Sequence, residues 1–331
     1  MSVVGRYTEA GRLDRLTSVT DPMSLPAPYQ QMAFADDLLD RPKELRDAFE
    51  RDGYLFLRGV LDRAEVNRVA GDLLAAMRAE ALVEPPAAGR QPARWSGRQL
   101  DAIDDRSFYE VSYYPELIDT ETTQRFLRRV FGEPVFTFRS LTVRYALPAD
   151  DRHISLPHQD HFFIRHTAAF RTLWMPLLPI EPTGGALAVA AGSHRAGLRR
   201  HEETDVLSYV LKGRRQRGLS LDDVPQPWHT TAYRPGDALI FHSHALHWAL
   251  PNESESVRLS VDVRCQPASE PRSWQSRTTV PVQRELRRDA QAIGAAEGMS
   301  EGLFEKVVIE MMAQGVPAER DRMIELAAAL R

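Results

Sequence analysis

A chain of 331 residues with a formal net charge of -4, drawn from 42 basic and 46 acidic residues spread along its length, has no basic block able to track a phosphate backbone. A hydrophobic content of 43% with 8% aromatics excludes an unfolded chain and predicts an ordinary buried core. The first residues lack a secretory pattern, no stretch approaches the roughly 18 apolar residues of a membrane span, and the lone Cys265 excludes a disulfide framework, so the sequence reads as cytoplasmic with neither a nucleic-acid nor a membrane partner.

The length suits one catalytic domain spanning 1–331. Residues 1–35 show no clear periodicity. DDLLDRPKELRDAFERDG reads as the first helix, stopped by Gly53, and YLFLRGV (54–60) as a short strand. Asp62 and Glu65 have the spacing of a capping box. Behind them Val66, Val69, Ala70, Leu73, Leu74 and Met77 fall on one helical stripe, which makes 36–83 a helix-strand-helix module.

Residues 84–134 read as a loop-rich lid region, because 84–108 are dense in proline, glycine and arginine. From 135 to 268 the chain turns to short β-type runs: PVFTFRSLTVRYAL, RTLWMPLLPI, ALAVAAG, DALIFHSHALHW and VRLSVDVRCQP. Such runs, punctuated by Gly, Pro and Asn, predict a barrel or sandwich. Cys265 is expected as a packed strand residue, Gly184-Gly185 as a turn, and His194 as a loop residue. Residues 269–331 return to helix in QRELRRDAQAIGAAEG, GLFEKVVIEMMAQG and AERDRMIELAAALR.

His158-Gln159-Asp160 follows the TVRYALP strand. If extended, it turns an imidazole and a carboxylate to one side and Gln159 to the other. A third ligand has to come from a distant strand, and ALIFHSHALHWALPN offers His242, His244 and His247. Two imidazoles and one carboxylate with the remaining positions open are the donor set of non-haem Fe(II) oxygenases, whereas zinc more usually takes a closed tetrahedral set. The open positions suit 2-oxoglutarate, which chelates through two oxygens, and dioxygen.

As a strand, VRLSVDVRC turns Arg258, Ser260, Asp262 and Arg264 to one face and Val257, Leu259, Val261, Val263 and Cys265 to the other. The polar face is expected to line the site, with the Arg258 guanidinium making a two-point contact to a carboxylate. PNESES before it reads as a tight turn, so the His247 and Arg258 strands are expected to be antiparallel neighbours.

Three blocks resemble the phytanoyl-CoA dioxygenase family of the double-stranded β-helix oxygenases: FERDGYLFLRGVLDRAEV, then LPHQD with WMPLLPIEPTGGALAVAAGSHRAG, and PGDALIFHSHALHWALPNESESVRLSV. Together they cover residues 49–262. The resemblance implies a mainly β fold with flanking helices, its core a double-stranded β-helix, a cupin-like jelly roll. It implies His158, Asp160 and His247 as the iron ligands, Arg258 as the partner of the distal carboxylate of 2-oxoglutarate, and Trp174 and Ser260 near that co-substrate. The eleven-residue step to Arg258 and the Pro251-Asn252 pair select His247 among the three histidines. Ala249 departs from a serine often found two positions after the distal histidine. Asp160 stands where related iron halogenases carry Gly or Ala, which argues against halogenation.

The expected activity is therefore an Fe(II)- and 2-oxoglutarate-dependent dioxygenase that uses O2 to hydroxylate an unactivated C–H bond of a small molecule of specialised metabolism. His161, Phe162 and Phe163 are candidate substrate contacts. An acyl-CoA substrate is disfavoured, since no phosphate-binding feature stands out. The alternatives are the same iron chemistry ending in desaturation, epimerisation or cyclisation, and a jelly-roll protein that binds metal and ligand without turnover.

Overall fold

The computed structural model describes residues 29–84, 93–98, 115–148, 157–164, 167–204, 216–219, 224, 227–278 and 280–330. Most of the expected 84–108 loop lies outside them. After β1 (Tyr29–Gln31) and a 3-10 turn at Asp36–Leu38 comes α1 (Pro42–Asp52). The first helix thus begins six residues later than expected. Proline lacks the N–H that a helix interior requires but suits the first helical position, and Pro42 occupies it.

β2 (Tyr54–Leu57) leads to α2 (Arg63–Ala79). Asp62 caps α2 by accepting from Ala64 N at 2.8 Å, while Glu65 pairs with Arg68 instead of closing the capping box. All six stripe residues from Val66 to Met77 are buried. The expectation of loop-rich structure across 84–134 is corrected at its end, where α3 (Glu121–Phe131) buries Thr123, Phe126, Leu127 and Val130. Those positions follow a helical period within a charged stretch, and Thr120 and Gly132 cap its two ends.

The β-rich region supplies β3 (Val135–Ala146), β4 (Arg171–Pro176), β5 (Leu187–Ala190), β6 (Glu202–Thr204), β7 (Gln216–Gly218), β8 (Trp228–Thr230), β9 (Ala238–His242), β10 (His247–Ala249) and β11 (Arg258–Pro267). One sheet runs β2-β9-β4-β11-β3 and a smaller one β1-β8-β5-β10, with β6-β7 a separate pair. The two larger sheets face each other across a core of Tyr54, Phe56, Trp174, Leu239 and Phe241 from one side and Leu187, Val189, Trp228 and Trp248 from the other. This is the expected jelly roll.

β11 shows how the sequence places both core and site. Its odd-numbered side chains Leu259, Val261, Val263 and Cys265 share an outer apolar layer with Leu45, Phe49, Val66, Leu73 and Phe126 of the three helices. Burying each aliphatic side chain contributes about 1.5–3 kcal/mol. The even-numbered Arg258, Ser260, Asp262 and Arg264 point between the sheets and are also buried.

The expected pairing of the His247 and Arg258 strands is overturned. β10 pairs antiparallel with β5 in the smaller sheet, whereas β11 pairs with β3 and β4 in the larger one. Residues 251–256 therefore carry the chain from one sheet to the other. Asn252 fixes that crossing by donating Nδ2 to Ala146 O and Ser256 O at 2.9 and 2.8 Å. A turn-rich sequence specifies a change of direction, not the sheet in which the next strand finds its partner.

The C-terminal helices α4 (Val280–Ala296), α5 (Glu301–Gln314) and α6 (Arg320–Leu330) share a small core of their own around Ala290, Val307, Val308, Met311 and Met323. No helix among the described residues is long and apolar enough to cross a membrane.

Candidate active site

The larger sheet ends in a polar row on its inner face, and the smaller sheet brings His247 opposite it. His158 and His247 form a bridge between the two chain segments, with His158 N donating to His247 O at 3.0 Å and His247 N donating to His158 O at 3.1 Å. Their rings lie 4.3 Å apart between centroids. Gln159 is extended (φ -114°, ψ 129°) and Asp160 opens a single helical turn to Phe163. The carboxylate thereby swings to the same side as the His158 ring, as expected.

Asp160 Oδ1 lies 3.9 Å from His158 Nε2 and 3.8 Å from His247 Nε2. Ligand atoms of all three residues fall within 4.8 Å of one another, and among the described residues this is the one such cluster of three. That spacing lets a single ion with metal–nitrogen and metal–oxygen bonds of about 2.0–2.2 Å reach all three. Asp160 and His247 are buried and His158 is partly exposed, so the cluster opens on the His158 side.

Two of the three donors, His247 and Asp160, are prepared electrostatically. Nδ1 of His247 lies 3.0 Å from the carbonyl of Ala245, which can only accept, so Nδ1 carries the proton and Nε2 presents its lone pair. Burial lowers the pKa of His247 and favours the neutral ring that a metal needs. Burial alone would raise that of Asp160, but Arg264, His247, His158 and the Thr172 hydroxyl together hold it well below the usual carboxylate range. Asp160 is therefore a carboxylate at neutral pH.

Gln159 turns away from the cluster and ties down its frame. It donates Nε2 to Gly197 O and His244 O at 2.8 and 2.7 Å and accepts from Arg199 N at 2.7 Å. His201, which nothing in the sequence singles out, accepts from the Gln159 backbone N–H at 2.9 Å and stacks on Phe162. The other two histidines considered for the distal position sit apart from the cluster. His242 ends β9, and His244 lies in the turn that follows it.

Arg258 is buried beside Trp174, its guanidinium carbon 5.5 Å from the ring centroid. Burial, then the neighbouring Arg144, pulls its pKa down to about 10, so it stays cationic at neutral pH. Among the described residues it makes no ion pair. Arg258 Nε, Ser260 Oγ and Trp174 Nε1 are all buried without a hydrogen-bond partner. An unpartnered buried polar atom costs about 1–3 kcal/mol. Three donors left so on one sheet face fit an anionic ligand such as the distal carboxylate of 2-oxoglutarate.

Of the three expected substrate contacts, Phe163 joins the site. It stands edge-on to His158 at 5.6 Å between centroids and is 38% exposed. Phe162 stacks on His201. His161 instead packs on Phe170 and His244, because in the turn Asp160–Phe163 only residues three apart share a side. Of the two side chains that hold Asp160, Arg264 stands on the polar face of β11 expected to line the site, whereas Thr172 is not singled out in the sequence. The available signal for Thr172 is its place on the inward face of β4, two residues before Trp174 and directly opposite Arg264.

Comparison with known proteins agrees with this geometry. The family model described as Phytanoyl-CoA dioxygenase (PhyH) matches residues 49–260. The chain is similar to the 1-deoxypentalenic acid 11-beta-hydroxylase of Streptomyces arenae, with 33% identity over 262 residues covering 76% of this chain and 91% of that protein. The protein of the same name from Streptomyces exfoliatus is 33% identical over 253 residues, covering 74% and 88%. Among solved structures, the apo form of a non-heme monooxygenase, ThoJ, shares the fold with a TM-score of 0.51 at 15% identity over 71% of this chain and 83% of that one. With a family model spanning well over half of its residues and two relatives at one-third identity, the chain belongs to the phytanoyl-CoA dioxygenase family.

Proposed function

We propose that this cytoplasmic enzyme, acting as one catalytic domain, hydroxylates an unactivated C–H bond of a small apolar organic acid, with His158, Asp160 and His247 holding Fe(II). Arg258, Ser260 and Trp174 then hold 2-oxoglutarate. Membership of the family makes the chain an Fe(II)- and 2-oxoglutarate-dependent oxygenase of small-molecule metabolism. The observation that carries the residue assignment is the His158–Asp160–His247 cluster, supported by the buried, unpartnered Nε of Arg258 on the inner face of β11.

Bound iron supplies the oxidising chemistry, in which O2 and 2-oxoglutarate give succinate and CO2 while the second oxygen atom enters the substrate C–H bond. Every other part is played by side chains of this chain. The Ala245 carbonyl keeps His247 in the tautomer that binds metal. Arg258 orients the distal carboxylate through its planar fork. Three buried or half-buried guanidiniums, Arg144, Arg258 and Arg264, stand against two carboxylates, Asp160 and Asp262. Among the described residues the balance is cationic before anything binds, and a dication arriving with a dianion would leave it unchanged. Trp174 packs edge-on to Tyr233, and Phe241 lies 4.4 Å from the His247 ring between centroids, so buried aromatic rings flank the site.

An acid with an apolar body is suggested by the relatives, whose named substrate is an acid, and by Phe163 standing exposed beside His158. The test is succinate release from 2-oxoglutarate across a panel of apolar organic acids, with Fe(II) and then with a chelator. Coupled succinate and a product heavier by one oxygen support the reading. A product lighter by two hydrogens would overturn hydroxylation, and full activity in Asp160→Ala would overturn the ligand set.

A further inference from the structure

Both oxygens of Asp160 are held by the protein. Thr172 donates its hydroxyl to Oδ2 at 2.5 Å, and Arg264 donates Nη2 to Oδ1 at 3.1 Å. Oδ1 is also the oxygen that faces the two histidine Nε2 atoms. A carboxylate oxygen has two lone-pair directions, so Oδ1 accepts from Arg264 and still has one to offer. Oδ2 is turned toward a hydroxyl instead.

The far side of Arg264 is gripped as firmly. Its Nη1 donates to Asp262 Oδ1 and, at 3.2 Å, to Thr142 Oγ1, while Asp262 Oδ2 accepts from Arg144 Nε at 2.7 Å. Arg264 and Asp262 are both buried. One planar guanidinium thus spans two carboxylates: Asp160 faces the histidines, and Asp262, among the described residues, is hydrogen-bonded by Arg144 and Arg264. A lysine ammonium, a point charge on a flexible stem, cannot reproduce that span.

We propose that Arg264, braced by Asp262, is a positioning residue that sets the plane of the Asp160 carboxylate so that Oδ1 alone binds iron. The inference rests on the reading of Asp160 as an iron ligand. A purely structural role would be simple neutralisation of a buried carboxylate, which Lys would also supply. The two roles differ in what Asp262 should do, since among the described residues it makes no hydrogen bond or ion pair to any of the three ligand residues.

The experiment uses the full chain, with anaerobic Fe(II) titration, the visible charge-transfer band that appears when 2-oxoglutarate joins the ferrous protein, and the melting temperature of the metal-free form. Arg264→Lys is expected to lose about 10–100-fold in Fe(II) affinity and to shift the band. Asp262→Asn should lose affinity in the same direction, and the double variant should bind no worse than Arg264→Lys alone. Wild-type affinity and an unchanged band in both folded single variants would overturn the proposal. Should Arg264→Lys fail to fold, Asp262→Asn and Thr172→Val carry the same comparison, and wild-type affinity in both is the overturning result. Asp160→Ala and His158→Ala separate the two readings. If they keep wild-type affinity, the ligand assignment fails; if they lose iron while the Arg264 and Asp262 variants keep it, only the positioning role fails.

Discussion

Gly53 lies directly against the ring of His194: a Cβ built on Gly53 would stand 2.3 Å from Nδ1. Gly53 also ends α1 with φ +75°, in the left-handed region where a side chain costs about 1–2 kcal/mol. His194, expected as a loop residue, is buried in the 3-10 turn Ser193–Ala196, with Nε2 3.0 Å from Glu50 O. The contact docks the turn after β5 onto the end of α1. Gly53→Ala is therefore expected to lose about 2–4 kcal/mol of unfolding free energy in a urea titration, the backbone term plus the clash. Adding His194→Ala should recover the clash and leave the backbone term.

Arg258→Gln should raise the KM for 2-oxoglutarate about 30-fold or more. Truncating one side of a buried charge contact costs about 2–5 kcal/mol. The variant should keep its Fe(II) affinity, and turnover should partly return at saturating co-substrate. Steady-state kinetics beside an Fe(II) titration check this, and a loss of iron affinity equal to the loss of 2-oxoglutarate affinity would contradict the division of labour between Arg258 and the His158–Asp160–His247 cluster.

Phe163 is exposed, so its replacement leaves no cavity in the core. Phe163→Ala is expected to change stability by no more than about 0.5 kcal/mol. The KM for the organic substrate should rise severalfold while that for 2-oxoglutarate holds. Paired thermal melts and kinetics with each substrate varied in turn make the measurement.

Acid should weaken the fold through buried neutral histidines. Burial pulls His242 down to about 3, with His194 and His244 adding to the effect, and burial pulls His201 down to about 4. In the unfolded chain both titrate near 6.5, so below that pH the unfolded state binds more protons than the folded one. Stability is complete above about pH 6.5 and falls as pH drops toward 3–4. Between pH 7.5 and pH 5 the loss should be on the order of 2 kcal/mol per group at most. Urea titrations at the two pH values test the sign, and His242→Asn should flatten the slope.

The site was more legible in the sequence than its surroundings. His158 and Asp160 two apart, and Arg258, Ser260, Asp262 and Arg264 on alternate positions, are patterns that strand geometry turns directly into a shared face. The partner of β10 was not legible, because residues 251–256 read equally well as a hairpin and as a crossing between sheets. Helix α3 is harder to read because its buried stripe is only four residues long, opens on Thr123 and is set among charged residues at 121, 125, 128 and 129. The hold of Thr172 and Arg264 on Asp160 depends on which strands lie side by side, and that neighbour relation is long-range by nature. His161 misled for a simpler reason: adjacency to a ligand along the chain is not adjacency in a helical turn.

β11 is apolar toward the helices and ionic toward the opposite sheet, and the two characters alternate residue by residue. Parity is thus the whole of its specification. Deleting one residue between Val257 and Arg264 would send a guanidinium into the oily layer under the helices and a leucine or valine into the pocket, at every position beyond the cut. An insertion or deletion is therefore tolerable only in the turns on either side, which leaves this strand a fixed ruler for both layers.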